Sequence, residues 1–237
     1  MTSKNYIRYI YCHPLFDERK CTHRFSYELS LVFSRAGHKI ERFDYTGTGE
    51  DEGEFAEVTL DLLRSDLGRY LTDGEELCLI GLRLGASLAL EYCLKQPSRI
   101  IKLILLEPII KGDEYVDYLL RKQRIKDLMT GNSHDHSENP DYYNIEGFKT
   151  VVQFVNQLQG FDLLETTRNA RAVPDVLIVQ ISQRSKIDPR LSRLAGCLES
   201  KTGGVQVRNV AMPSFWERIP IGDYQPLTKI VSEYCHE

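Results

Sequence analysis

A chain of 237 residues with 42% hydrophobic and 27% charged residues carries enough apolar material for one sizeable core and too little length for two enzyme domains. Its 30 lysines and arginines stand against 34 aspartates and glutamates, a net charge of -4 with a pI near 5.9. That balance offers no basic excess for nucleic acid or an anionic membrane, and it points to a small-molecule or peptide ligand.

The amino-terminal stretch has an Arg inside its apolar run and no cleavage-site pattern, and no later run reaches the ~20 apolar residues of a membrane helix. A cytoplasmic protein without membrane insertion is expected. Six cysteines are scattered without a CxxC pair or zinc-type Cys/His spacing, so they read as reduced structural thiols, with no metal and no cofactor implied.

In chain order, Tyr6–Cys12 is the first predicted strand, followed by a helix over Thr22–Arg35 that ends at Gly37. Lys39–Asp44 is the second strand, and a Gly-rich turn leads to a helix over Glu57–Leu71. The third strand, Leu77–Gly81, runs straight into a helix that ends at Lys95. Leu103–Leu106 belongs to a fourth strand, a continuous apolar run of the kind buried on both faces.

From about Lys111 to Arg171 the pattern turns helical. Two amphipathic helices, Tyr115–Met129 and Ile145–Leu158, flank a polar stretch over Thr130–Asn144. Val176–Ile181 and Val205–Val210 resume the strands around a helix over Pro189–Glu199, and a helix over Tyr224–Tyr234 ends the chain. This alternation predicts an α/β fold with a mainly parallel sheet, a single domain over 1–237, a helical cap insertion over about 112–170, and a binding cleft at the carboxyl ends of the strands.

Gly81-Leu82-Arg83-Leu84-Gly85-Ala86 lies between an apolar strand and an apolar helix, the context of a G-x-S-x-G nucleophile elbow. The first strand ends in Cys12-His13-Pro14-Leu15, where an oxyanion loop would lie. Asp44-Tyr45-Thr46-Gly47-Thr48-Gly49-Glu50-Asp51-Glu52-Gly53 fits a D-x-x-G-x-G-x-S-x-G loop with Asp51 in place of Ser.

Together these segments resemble the α/β-hydrolase superfamily, in its serine aminopeptidase-like and lysophospholipase-like branch. A narrower resemblance is to hydrolase-like proteins associated with exosortase systems, carried by His13–Arg19, Gly81–Ala86 and Glu107-Pro108. It implies a bacterial biosynthetic or surface-polysaccharide pathway, with pathway proteins or a second copy of the chain as protein partners.

The superfamily's nucleophile, acid and base follow in that chain order. Here the nucleophile position is Arg83, and a guanidinium with a pKa above ~12 neither attacks a carbonyl nor accepts a proton. The base is missing too: Ala211-Met212-Pro213-Ser214-Phe215-Trp216 follows the last strand, and His236 lies one residue from the end. Asp188 stands at the acid position, where the alternative duty is to cap the following helix.

Other groups could in principle replace the missing ones. Ser87 lies a turn into the helix, Cys12 and His13 point to opposite faces of a strand, and His134 and His136 flank Asp135 in the polar loop. A guanidinium at the head of a helix demands an anion, either Glu18 or Glu107 from the chain or a bound carboxylate or phosphate.

The expected ligand site is therefore Arg83, His13, Glu18 and Leu84, with Glu18, Asp44, Asp188 and Cys12 as secondary catalytic candidates. Three readings stay open: a catalytically divergent homologue, or pseudoenzyme, that binds an acidic or peptide-derived ligand; a hydrolase of esterase or peptidase type with an atypical site; and a non-hydrolytic isomerase or epimerase.

Overall fold

The computed structural model describes residues 7–71, 76–96, 99–131, 141–168, 172–201, 204–218 and 222–236. The chain divides into two compact units. The first comprises residues 1–43, 68–110 and 163–237, and the second 44–67 and 111–162.

The first unit is built on six parallel strands: β1 (Ile7–Cys12), β2 (Ile40–Arg42), β3 (Glu76–Leu82), β4 (Ile100–Leu106), β7 (Asp175–Ile181) and β8 (Val205–Val210), in the order β2-β1-β3-β4-β7-β8. The order reverses between β1 and β3, so the carboxyl ends of these two strands form the topological switch where α/β sheets carry their ligands. Register pairs Cys12 with Gly81, Leu82 with Leu106, Leu106 with Val179 and Ile181 with Val210, which brings the strand ends level.

Strands buried on both faces explain the unbroken apolar runs. On one face Ile80, Leu82, Ile104, Leu106, Val179 and Ile181 meet a core with Phe25 and Phe33 of α1 (Phe16–Arg35) and Leu227 and Val231 of α8 (Gln225–His236). The other face packs α3 (Leu84–Lys95), whose helix is apolar almost all round because it is buried.

Helices α6 (Leu163–Arg168) and α7 (Pro189–Glu199) complete this unit. Helix α1 begins at Phe16, six residues before the Thr22 expected from the apolar spacing. Its polar first turn, with Asp17 and Glu18, suits the positive end of the helix dipole.

The second unit contains most of α2 (Leu60–Tyr70), α4 (Gly112–Thr130), a hairpin of β5 (Tyr142–Ile145) and β6 (Phe148–Val151), and α5 (Val152–Gln159). The hairpin corrects the helix expected over Ile145–Leu158, of which only the second half is helical. Ile145 pairs with Phe148 across a two-residue turn, Glu146 at φ 56° and Gly147 at φ 95°, and the Asn144 side chain accepts a hydrogen bond from the Gly147 amide at 3.0 Å.

Such a turn favours Gly where φ is positive, and the β-rich Tyr-Tyr-Asn-Ile and Phe-Lys-Thr-Val flanks suit a two-stranded ribbon. Of the expected cap span, 112–162 falls in this unit together with 44–67, whereas Leu163–Arg168 falls in the first unit. In the 44–53 loop, the Asp51 carboxylate accepts from the amides of Gly47 and Gly53, both at 2.9 Å, so an acidic side chain closes the turn.

Candidate ligand site at an arginine elbow

The elbow forms as its glycines dictate. A Cβ on Gly81 would lie 2.3 Å from the Ala86 Cα, and one on Gly85 would lie 2.3 Å from the Cys12 carbonyl oxygen and 2.4 Å from that of His13. Only glycine lets β3 turn into α3 while the helix presses on the end of β1.

Between the glycines Arg83 takes φ 54° and ψ -125°, a strained conformation for a residue with a side chain and the one a nucleophile elbow requires. Its amide donates to the Leu106 carbonyl at 2.9 Å. Its own carbonyl accepts from the amides of Ala86 and Ser87 at 3.0 and 3.2 Å.

Among the described residues of this unit, two other non-glycine residues have positive φ: Phe16 at 55°, four residues beyond β1, and Glu107 at 44°, directly after β4. Strain of about 1–3 kcal/mol at each of three residues follows strands whose ends are level, and such strain concentrates at functional sites.

Arg83 and Glu18 come together as expected. The Arg83 Nε donates to Glu18 Oε1 at 3.1 Å, with the Glu18 side chain fully buried and the Arg83 side chain 13% exposed. The guanidinium carbon lies 4.8 Å from the Trp216 ring centroid, a cation–π contact worth about 1–2 kcal/mol. Trp216 thus stands on the loop after the last strand, at the superfamily's position for a base His, and nothing in its local sequence signals a role there.

Glu107, the other carboxylate expected near Arg83, is held by a backbone amide. Its Oε1 accepts from the Ile181 amide at 2.6 Å. Burial pushes its carboxyl above the ordinary glutamate range, with the Ile181 N–H and the Arg83 charge opposing that shift.

The raised value has a sign that can be checked. A carboxyl protonated more readily in the fold than in the unfolded chain contributes its full stability below the ordinary range, and loses it as the pH rises through the raised value. Glu107→Gln keeps the acceptor for Ile181 and removes the charge. Thermal unfolding as a function of pH is expected to show the Gln variant gaining on the wild type from mildly acid to neutral pH; parallel profiles would contradict it.

The remaining candidates fall elsewhere or serve the fold. Asp188 caps α7, accepting from the Arg190 amide at 2.7 Å and pairing with the Arg190 guanidinium, which holds its carboxyl below the usual range. Cys12 is buried, and burial raises its thiol to about 12, so it is not a thiolate at neutral pH. Ser87 is also buried, its hydroxyl donating to the Ile109 carbonyl at 2.7 Å.

His13 packs its buried ring edge-on against Tyr11 at 4.7 Å. The Leu84 side chain is fully buried, which leaves its main chain as what it can offer a ligand. Asp44 accepts from the Glu50 amide at 3.0 Å within the second unit. His236 lies in α8, stacked on His38 at 4.8 Å, while His134, Asp135 and His136 lie outside the described residues.

A pocket of about 390 Å³ opens in the first unit between the loops that follow β7 and β8, lined in part by Glu107, Asp188 and Trp216. No group of residues suited to hold a metal ion occurs among the described residues, and none of their helices is long and apolar enough to cross a membrane.

No family model matches the chain. Over 134 residues it is 31% identical to the mouse (Mus musculus) protein named palmitoyl-protein thioesterase ABHD10, mitochondrial, covering 55% of this chain and 44% of that protein. The chain therefore spans less than half the length of the curated relatives it matches, the rat protein of the same name included.

Among solved structures, mouse alpha/beta hydrolase domain-containing protein 10 matches at TM-score 0.61 and 20% identity over 97% of this chain and 89% of that one. The Pyrococcus furiosus esterase PF2001 matches at TM-score 0.66 and 16% identity over 99% of this chain and 82% of that one. With its parallel six-stranded sheet flanked by helices and its strained strand-to-helix elbow, the chain has the fold of the α/β-hydrolase superfamily.

Proposed function

We propose that this α/β-hydrolase-fold chain is one domain, with residues 112–170 as its cap, that binds a small acidic or peptide-derived ligand beside Arg83 and performs no acyl transfer from its elbow. The observation that carries the reading is the elbow itself. Its backbone keeps the strained nucleophile geometry, while its side chain is a guanidinium engaged by buried Glu18 and by the ring of Trp216 on the loop where a base would stand. A role in a bacterial biosynthetic or surface-polysaccharide pathway rests on the exosortase-type resemblance.

Fluorophosphonate labelling of the purified protein tests this directly. Neither the wild type nor Arg83→Ser is expected to label, because the serine variant still has no base to activate its hydroxyl. Labelling of the wild type above a heat-denatured control would sink the proposal.

A second reading, hydrolysis through an atypical site, draws support from the sequence likeness to a protein named as a thioesterase. Turnover of p-nitrophenyl esters or a palmitoyl thioester that survives Arg83→Ala and disappears with a His or Cys substitution would favour it. A third, non-hydrolytic proton transfer such as isomerisation, draws on the raised Glu107 carboxyl at the pocket wall.

A further inference from the structure

The loop over residues 182–188 differs from a plain connection because a buried amide holds it in shape. The Gln180 side chain donates to the carbonyls of Arg184 and Lys186, at 3.4 and 3.0 Å, and to Asn209 Oδ1 at 2.7 Å. Its Oε1 accepts from the Asp188 amide at 2.6 Å. The Ser182 hydroxyl takes the Arg184 amide at 3.1 Å, and the Asn209 side-chain amide donates to the Ser182 carbonyl at 3.2 Å.

A loop tied at this many points is fixed before any ligand arrives, which lowers the ordering cost of binding. Two of the residues it presents, Arg184 and Lys186, carry positive charge at the rim of the 390 Å³ pocket. Ile181, Ile187 and Trp216 supply an apolar wall, and Glu107 and Asp188 are among the polar residues of the lining.

The volume falls in the range of about 300–1,000 Å³ that small-molecule sites occupy. The charges around it sum in favour of an anion. Asp188 is already paired with Arg190, and Glu107 gives its Oε1 to the Ile181 amide, so the two cations of the loop outweigh the one carboxylate left in the lining. Arg83 is engaged by Glu18 and the Trp216 ring, and the two cations among the residues that line the pocket, Arg184 and Lys186, are both on the loop.

We propose that this pocket binds a small organic anion with an apolar body, its carboxylate received by Arg184 and Lys186 and its body laid against Ile181, Ile187 and Trp216. The inference rests on the reading of an acidic ligand beside the elbow, and it assigns the recognition of that ligand to the loop after β7.

Trp216 is the chain's single tryptophan, so it reports on the pocket without labelling. Benzoate is the probe, with benzamide as its neutral counterpart, followed by Trp216 fluorescence and by ligand-observed NMR so that binding silent in fluorescence is still detected. Benzoate is expected to bind saturably in the millimolar range, and benzamide at least about tenfold more weakly, the factor expected for one charge-assisted hydrogen bond.

Arg184→Gln/Lys186→Gln should weaken benzoate by at least about tenfold, whereas Arg35→Gln/Lys39→Gln, with the same change in net charge at exposed positions outside the pocket, should not. Absence of saturable benzoate binding by both methods would overturn the inference, as would equal affinity for benzamide. Binding lost in Arg83→Gln but kept in the loop double variant would also overturn it, by moving the anion to the elbow. The wider proposal of an elbow without acyl transfer stands or falls on fluorophosphonate labelling, so the two failures are told apart.

Discussion

Replacing Gly85 by alanine is expected to destabilise the folded chain by more than about 3 kcal/mol, the upper end of what overpacking costs, because the added methyl has only backbone to meet. Its Cβ would lie 2.3 Å from the Cys12 oxygen, 2.4 Å from the His13 oxygen and 2.7 Å from the Cys12 carbonyl carbon. None of these can swing aside like a side chain, so α3 must part from the end of β1, and the elbow moves with it.

Urea denaturation checks the expected loss, and Gly196→Ala is the control. Gly196 lies inside α7 with nothing within 4 Å of its added Cβ, so alanine there is expected to stabilise by about 0.5–1 kcal/mol through helix propensity. A Gly85→Ala variant as stable as the wild type would mean that the elbow does not press on β1 as described.

The Arg83–Glu18 pair carries the second large effect. Arg83→Met is expected to cost roughly 3 kcal/mol, because it strips the guanidinium from a carboxylate with no solvent exposure. For a chain of this size that corresponds to a fall of about 6–12 °C in Tm.

Glu18→Gln should cost less. The Arg83 side chain is partly exposed and keeps its stacking on Trp216, so its charge is less stranded than that of Glu18 would be. The double variant Glu18→Leu/Arg83→Met should recover part of the loss, since removing both members of a buried pair leaves neither of them facing the other's absence. Thermal unfolding of the wild type, Arg83→Met, Glu18→Leu and the double variant forms a double-mutant cycle, and additive effects would show that the pair is not coupled.

The glycines and the ion pair are different layers of one device. The glycines shape a strained turn that holds one side chain at the switch of the sheet, and the ion pair decides what that side chain is free to do. A serine in the same geometry would be exposed for attack. An arginine there becomes a fixed charge with a carboxylate behind it and an indole against it, suited to shaping a pocket and unable to form an acyl intermediate.

What the sequence by itself determined was everything carried by local pattern. Apolar runs bounded by turn residues located β3, β4 and β7, because strands buried on both faces need unbroken hydrophobicity, and β-rich stretches between turn residues located β1, β2 and β8. Gly81 and Gly85 around Arg83 marked the elbow, because only glycine tolerates such close backbone approach. Glu18 was legible as Arg83's partner from the need to neutralise a guanidinium among groups that follow neighbouring strands. The hairpin over Tyr142–Val151 was also readable from its Gly147 turn and β-rich flanks, but its apolar spacing coincided with that of a helix.

What only the tertiary structure decided depends on distant parts of the chain. Trp216 reads as an ordinary core aromatic until its ring is found against a guanidinium 133 positions earlier, a separation given by 216 less 83. The raised Glu107 carboxyl comes from burial beneath elements that the Glu-Pro pair does not specify. The pinning of residues 182–188 by Gln180, and the gathering of 44–67 with 111–162 into one unit, likewise have no local signature. The physical reason is common to all of them: periodicity and backbone sterics act over a few residues, whereas desolvation, ring stacking and charge pairing are set by which surfaces the fold brings together.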